Sequence, residues 1–219
     1  MNTPPAAVPD TFEGWWTIAG DWVEPPNRRR DGWSGMLRVR IGDALFYVKR
    51  QCNHRYWSPR PPFRHPTAKR EYDNLLRLRA LAIGAPEPVF YGQRHSAEGL
   101  EAVLVTRELY AYRSLDTLPA LDAEQRHAVA VAAGELIGRL HRARLQHRAL
   151  YDKHLMLRWP ISGAPEIALI DLESMRRQPS RGLAARRDLG QLARRQARGH
   201  PRTGKPYSKR IGIRCTDAD

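Results

Sequence analysis

The hydrophobic pattern of the chain changes near residue 110, and this change constrains the fold more than any other feature. Before it, short β-like runs surround a single helix. The clearest pair, Met36–Ile41 and Ala44–Arg50, is joined by Gly42-Asp43, a strong hairpin signal. After it, helical periodicity dominates. The pattern therefore predicts an α+β protein with a small, antiparallel sheet-rich lobe followed by a short, more helical lobe.

The first half contains the sheet. The segment Arg30–Gly35 is typical of a turn, Thr67 is placed to cap a helix over Ala68–Ala82, and β-like runs recur at Val89–Gly92 and Ala102–Leu109. We divide the chain into an N-terminal extension (1–24), an N-lobe (25–109), a C-lobe (110–198) and a basic tail, disordered or truncated (199–219).

The second half opens with Asp122 and, three residues later, Gln125, which together form a capping-box signal. The helix that follows has an apolar stripe at i, i+4, i+7 and i+11, the spacing of one buried face. Residues 145–153 indicate a polar loop. The remaining predicted elements are a hairpin of His154–Trp159 with Ile167–Leu172, and a helix over residues 181–197 capped by Ser180.

Composition narrows the class of protein. The chain has 219 residues and a net charge of +14, carried by 32 Arg and only five Lys. The large number of arginines reflects either genomic base composition or an anionic partner. Cys52 and Cys215 form no disulfide framework, the N-terminus has no signal-peptide pattern, and no apolar run is long enough to span a bilayer. We therefore expect a cytoplasmic protein, with any membrane contact peripheral to the inner face of the inner membrane.

One interpretation of the charge is a basic nucleic-acid-binding module, motivated by the arginines of residues 28–30 and 194–214. The sequence carries no helix-turn-helix signature, zinc-ligand spacing or aromatic RNA-binding pattern to support it. We therefore expect no specific nucleic-acid partner.

A lysine and a glutamate form the first candidate for chemistry. Lys49 closes a β-like run, and its compact ammonium suits a phosphate oxygen. Glu71 lies on the otherwise apolar face of the predicted helix, where a carboxylate needs a partner because burying it alone is costly. Lys49 is one candidate for that partner, and a local arginine is the other.

A second set of residues follows in the C-lobe. Asp171 ends the apolar run Ile167–Ile170, where its carboxylate could bind a cation such as Mg²⁺, and His154 begins the partner strand. In the N-lobe, Gly32 and Gly35 could let backbone N–H groups approach a phosphate. Taken singly, each of these residues also has an ordinary structural explanation.

In this order, the motifs resemble the protein-kinase-like arrangement, and more specifically the bacterial lipopolysaccharide kinase family, the Kdo/heptose kinases with their WaaP/InaA-like branch. The resemblance covers about residues 25–195. The segments that carry it are 47–51 (YVKRQ), 65–71 (HPTAKRE), 104–109 (LVTREL), 147–154 (HRALYDKH) and 170–173 (IDLE).

The resemblance implies an ATP- and Mg²⁺-dependent kinase that phosphorylates a sugar hydroxyl of the lipopolysaccharide core or of another anionic glycolipid. Lys49 would bind ATP phosphates and pair with Glu71, while Gly32 and Gly35 would form the glycine loop. The other implied roles are as follows: Thr106, Glu108 and Leu109 line the adenine site, Asp171 and His154 bind the metal, and Asp188 braces the catalytic loop.

The catalytic loop departs from the kinase pattern. Where kinases have His-Arg-Asp, this chain has His147-Arg148-Ala149, so the carboxylate that accepts the substrate proton is absent. Asp152 is the nearest carboxylate, which makes Asp152 and His147 the catalytic candidates. The alternative is a catalytically impaired pseudokinase of the same family with a stress-response or scaffold role.

Overall fold

A computed structural model of the protein describes residues 7–29, 32–59 and 61–198. The chain forms two compact units. The first consists of the residues up to Arg77 together with Pro86–Leu109, and the second consists of Leu78–Ala85 together with the residues from Tyr110 onwards.

The first unit is built on a five-stranded antiparallel sheet with the strand order β1-β2-β3-β7-β6, beside which β4 and β5 form a separate two-stranded ribbon. The elements of this part of the chain, in order, are α1 (Phe12–Thr17), β1 (Asp21–Arg29), β2 (Gly32–Ile41), β3 (Ala44–Cys52), β4 (Arg55–Trp57), β5 (Arg64–Pro66), α2 (Thr67–Ala80), β6 (Pro88–Ser96) and β7 (Gly99–Arg107). The predicted hairpin around Gly42-Asp43 is confirmed, because Ile41 pairs with Ala44.

Alternation along β3 gives the sheet two different faces. Phe46 and Val48 point into an apolar core that also contains Trp15 of α1, which is fully buried. Arg50 follows the same alternation and donates to the carbonyl oxygens of Trp15 and Ile18. Residues 1–24, which the sequence presents as an extension, thus include a helix that is part of the first unit's core.

The N-terminus of α2 is capped from the sheet. The predicted local cap, Thr67, is instead the first helical residue, and its hydroxyl contacts His54 at 2.8 Å. The buried side chain of Gln51 accepts a hydrogen bond from the backbone N–H of Ala68 at 3.0 Å. The helix ends at Ala80, earlier than predicted, because Ala82 adopts a left-handed conformation with φ of 51°.

The predicted turn over residues 30–35 is wrong for Gly32–Gly35, which lie inside β2. Both glycines are needed there because neighbouring chain segments approach closely. A Cβ atom on Gly32 would lie 2.6 Å from the carbonyl carbon of Asn53, and one on Gly35 would lie 2.7 Å from the ring of Trp22. Sheet packing therefore accounts for both residues.

The second unit is more helical, as predicted. Its elements are β8 (Arg113–Ser114), α3 (Ala123–Arg142), β9 (Leu145–Gln146), β10 (Leu155–Arg158), β11 (Glu166–Leu169), β12 (Arg176–Arg177) and α4 (Arg181–Arg198), with short 3₁₀ turns at Leu115–Thr117, Asp152–His154 and Leu172–Ser174. Residues 145–153, predicted as a loop, thus contain β9 and the start of a 3₁₀ turn. The ribbon of β9 and β12 accounts for the difference, because the partner strand lies 30 residues away in sequence.

Local signals at both long helices of this unit are confirmed. Asp122 accepts a hydrogen bond from the backbone N–H of Gln125, and the Gln125 side chain returns one to Asp122, which completes the capping box of α3. Ser180 accepts from the N–H of Leu183 at the start of α4. The predicted stripe of α3 is buried: Val129, Ala133, Leu136 and Leu140.

Across the described residues, no helix combines the length and apolar character that crossing a bilayer requires. The predicted tail, 199–219, lies outside the described residues.

Candidate functional site

The candidate site residues of the first unit project from β3 and α2. Lys49 pairs through its backbone with Met36 of β2 and Leu104 of β7, so it lies on a central strand. Its side chain points to the face opposite the Trp15 core, as does that of Gln51, which contacts α2. The alternation of β3 therefore directs Lys49 toward the helix that carries Glu71.

Lys49 and Glu71 form an ion pair with an Nζ–Oε2 distance of 2.7 Å, and their side chains are only 14% and 12% exposed. Of the two partners that the sequence allowed for Glu71, the structure places Lys49 beside it. A charge-assisted bond of this length fixes the ammonium on a long, flexible side chain. The side chain of Lys49 is thereby held in one orientation beside α2.

The predicted adenine-binding segment lies at the end of β7. Thr106 pairs with Tyr47 and is half-buried, as are Glu108 and Leu109. The backbone N–H of Glu108 donates to the carbonyl oxygen of Leu45 at 2.9 Å. Glu108 would therefore offer its carbonyl oxygen, rather than its N–H group, to a base.

The candidate residues of the second unit surround a buried carboxylate. Asp188 of α4 is fully buried and accepts from the backbone N–H groups of His147 and Arg148 at 2.8 and 2.9 Å. It also lies 3.1 Å from Nε2 of His141 on α3. These contacts hold the backbone of residues 147 and 148 against α4, which is the placement that the resemblance implies for Asp188.

His147 is held on both ring nitrogens. Nε2 donates to the carbonyl oxygen of Ile170 at 3.0 Å, and Nδ1 accepts from the N–H of Ala149 at 3.3 Å. Burial lowers the pKa of His147, which favours this neutral form. His147 therefore joins its own loop to the residue before Asp171, and its geometry is that of a positioning residue.

His154 and Asp171, the predicted metal ligands, are close together. His154 Nε2 lies 3.3 Å from Asp171 Oδ2, and Nδ1 lies 2.7 Å from the carbonyl oxygen of Ala149. A carbonyl only accepts, so Nδ1 must carry a proton. Burial lowers the pKa of His154, so the ring is neutral and the lone pair of Nε2 faces the carboxylate.

Two acceptors that face each other in this way fit a divalent cation. Among the described residues no group of three or more His, Cys, Asp or Glu side chains is arranged to hold a metal ion. Mg²⁺ is commonly held by one or two protein groups, with water and phosphate oxygens completing its octahedron. His154 and Asp171 suit that coordination, and Asp171 reaches its position in a left-handed conformation with φ of 61°.

Asp152 lies in the 3₁₀ turn before His154 and is half-buried. The hydroxyl of Ser114 donates to Asp116 at 2.6 Å and lies 3.4 Å from the carbonyl oxygen of Asp152. Asp116, a carboxylate that sequence reasoning missed, also acts electrostatically on His154. In the sequence, Ser114 precedes Asp116 by two residues, and this spacing does not indicate that Asp116 acts on His154.

The sequence matches the lipopolysaccharide kinase (Kdo/WaaP) family over residues 13–215. Protein InaA of Escherichia coli (strain K12) is 34% identical over 190 residues, which cover 84% of this chain and 87% of InaA.

Two solved structures share the fold. WaaP, in a complex with acyl carrier protein, matches with a TM-score of 0.63 at 22% identity, over 83% of this chain and 73% of WaaP. The Rio2 kinase of Chaetomium thermophilum, in its ADP/Mg²⁺-phosphoaspartate complex, matches with a TM-score of 0.55 at 14% identity, over 90% of this chain and 62% of Rio2. The predicted kinase-like fold is confirmed. The chain belongs to the lipopolysaccharide kinase (Kdo/WaaP) family.

Proposed function

We propose that this protein is an ATP- and Mg²⁺-dependent kinase that transfers a phosphoryl group to a sugar hydroxyl of the lipopolysaccharide inner core. The observation that carries the proposal is the mostly buried Lys49–Glu71 ion pair. An ammonium fixed at 2.7 Å from a carboxylate can bind phosphate oxygens without first losing the freedom of its side chain. Membership of the family supports phosphotransfer in general, and the acceptor is part of this proposal.

The residues divide the work by their chemistry. Lys49 binds α- and β-phosphate oxygens, Glu71 orients it, and the carbonyl of Glu108 accepts from the base. His154 and Asp171 would hold Mg²⁺, which would supply positive charge to the phosphate oxygens. Phosphoryl transfer depends mainly on positioning and electrostatic stabilisation, so the absence of an aspartate at Ala149 is compatible with turnover.

Asp152 is the proposed proton acceptor for the sugar hydroxyl. It lies in the turn that begins three residues after Ala149 and ends at His154. Replacing Asp152 with Asn keeps the size of the side chain and removes the negative charge. If Asp152 is the base, the variant binds nucleotide normally and loses most of its transfer rate, by about 10²- to 10⁴-fold.

Nucleotide binding is tested by the melting temperature. Mg·ATP at about 100 times its dissociation constant should raise the melting temperature by about 5–10 °C. Lys49→Met and Asp171→Asn should abolish the shift. Lys69→Met is the matched control, because Lys69 pairs with Asp73 at the surface of α2. Retention of the shift in Lys49→Met would contradict the proposed phosphate site.

Transfer is tested separately with radiolabelled ATP and purified lipopolysaccharide, with an active family member run beside it. Incorporation that depends on Asp171 supports the kinase. A nucleotide-induced shift without incorporation supports the second candidate, a pseudokinase of the same family, which Ala149 favours. Absence of both overturns the proposed function.

The acceptor class implies where the protein works. A lipopolysaccharide core sugar belongs to a membrane-attached glycolipid that carries negative charge, and the net charge of +14 complements it. We propose a peripheral location at the inner face of the inner membrane.

A further inference from the structure

The β4–β5 hairpin, residues 55–66, presents aromatic side chains that do not contribute to the core. Trp57 is 69% exposed and Phe63 is 56% exposed, so Trp57 is the most exposed tryptophan in the described part of the chain. Leaving two large aromatic side chains in water is unfavourable unless they meet a partner. Their position at the end of the hairpin therefore requires an explanation.

The base of the hairpin is anchored. Tyr56 pairs with His65, and the two rings stack at a centroid distance of 5.7 Å. The guanidinium of Arg70, on α2, lies 4.2 Å from the centroid of the Tyr56 ring. The backbone N–H of Thr67 donates to the carbonyl oxygen of His54 at 3.0 Å. The base of the hairpin is therefore fixed to the helix.

The tip has an aromatic side chain on each face. Trp57 pairs with Arg64, so these two residues lie on one face together with Arg55. Ser58 donates to the carbonyl oxygen of Phe63 at 2.8 Å, which continues the pairing, and alternation places Phe63 on the opposite face. Arg55 and Arg64 are both exposed. One face of the hairpin therefore combines Trp57 with two arginines, and the opposite face carries Phe63.

The charge of the surrounding sequence is one-sided. Between Asp43 and Glu71 the chain has no acidic residue, and this stretch includes seven Lys or Arg residues. Tryptophan is favoured at the level of lipid headgroups, where its ring is half in an apolar environment. Arginines beside it interact with anionic headgroups, and each adds about fivefold to the affinity.

We propose that the β4–β5 hairpin docks the protein onto an anionic phospholipid membrane. Trp57 and Phe63 enter the interfacial layer, and Arg55 and Arg64 contact lipid phosphates. An aromatic side chain on each face of a tip suits edge-on insertion, whereas single-stranded nucleic acid is bound by aromatics that stack successive bases along one groove. The inference deepens the proposed function, on which it rests only for the membrane location of the acceptor.

The test is co-sedimentation of the full chain with vesicles, without nucleotide. We expect the protein to bind vesicles of phosphatidylcholine mixed with phosphatidylglycerol. Its affinity for vesicles of phosphatidylcholine alone should be lower by about tenfold or more. Trp57→Ser/Phe63→Ser and Arg55→Gln/Arg64→Gln should each weaken binding to the anionic vesicles by about tenfold or more. Melting temperatures should stay within about 2 °C of the parent, because the four side chains are exposed.

A matched charge control separates the hairpin from general attraction. Arg40→Gln/Arg79→Gln removes the same charge from exposed positions on β2 and α2. This variant should lose less than about threefold in binding to anionic vesicles, because neither arginine belongs to the β4–β5 hairpin. A second measurement is quenching of tryptophan fluorescence by lipids with brominated acyl chains, which should fall in Trp57→Phe.

Three results would overturn the proposal: equal binding to neutral and anionic vesicles, equal losses in the hairpin and control variants, or binding to single-stranded RNA without binding to vesicles. These results do not involve ATP. Vesicle binding without a nucleotide-induced shift in melting temperature would instead leave the hairpin proposal intact and count against the kinase.

Discussion

The two units hold their candidate site residues in different ways. In the first, Lys49 and Glu71 pair with each other on one face of a sheet whose core, around Trp15, lies on the other face. In the second, the fully buried Asp188 holds the backbone of the loop that begins at His147. The first site is attached to a fold that other residues stabilise. In the second, the site and the local fold depend on the same carboxylate.

The largest expected effect follows from this difference. Asp188→Ala leaves the buried N–H groups of His147 and Arg148 without their acceptor, so the free energy of unfolding should fall by about 3–5 kcal/mol. Urea denaturation measures the change. Asp21→Ala is the control, because that side chain is 84% exposed and its loss should change the free energy of unfolding by less than about 0.5 kcal/mol. Equal losses in the two variants would contradict the bracing role.

The Lys49–Glu71 pair should behave differently. Glu71→Leu removes the carboxylate beside a mostly buried ammonium and should cost about 1–3 kcal/mol in the free energy of unfolding. Lys49→Met/Glu71→Leu replaces both charges with apolar groups and should recover most of that loss, while nucleotide binding stays abolished. Urea denaturation and nucleotide-induced melting shifts together measure the two outcomes. If the double variant loses as much stability as Asp188→Ala, the contrast between the units is wrong.

A helix cap tests a local contribution in the second unit. Asp122→Ala removes the acceptor for the N–H of Gln125 and should lower the free energy of unfolding by about 1 kcal/mol. Asp122→Asn should retain most of the stability, because an amide oxygen can also accept that bond. A loss in Asp122→Asn equal to that in Asp122→Ala would indicate that charge, rather than capping, matters at this position.

The same contrast explains what the sequence could predict. The capping box of α3, the hairpin at Gly42-Asp43 and the buried stripe of α3 depend on residues close together in the chain, and all are confirmed. The Lys49–Glu71 pair could be predicted as one of two possibilities, because strand alternation and helix periodicity each limit where a side chain can point. Cap formation by Gln51 was missed, since its partner, Ala68, lies 17 residues away.

Backbone placement was harder to predict than side-chain chemistry. Gly32 and Gly35 have the composition of a turn, but they lie in β2 because Asn53 and Trp22 pack against them. Nothing local in the sequence records those contacts. Likewise, the pairing of β9 with β12 depends on a segment that follows two intervening strands and two 3₁₀ turns.

The smallest effect concerns a carboxylate near the surface of the second unit. A hydrogen bond from the Tyr112 hydroxyl, followed by one from Arg158, lowers the pKa of Glu166. Because the folded pKa lies below the unfolded value of about 4.3, the stabilisation is complete above that pH and is lost as the pH falls through the folded pKa. Glu166→Gln should therefore lower the urea midpoint slightly at neutral pH, and this loss should shrink as the pH falls through the folded pKa of Glu166.

Solvent screening keeps this effect of Glu166 small, because its side chain is 41% exposed. Tyr112→Phe, which removes the hydroxyl donor, should reduce the midpoint at neutral pH in the same direction, and the pH dependence identifies the carboxylate as the titrating group. If Glu166→Gln destabilised the protein as much as Asp188→Ala, hydrogen bonding to a carboxylate would matter irrespective of burial. The contrast between Asp188 and Glu166 requires the opposite: both carboxylates accept several bonds, but only the one removed from water holds the fold of its loop.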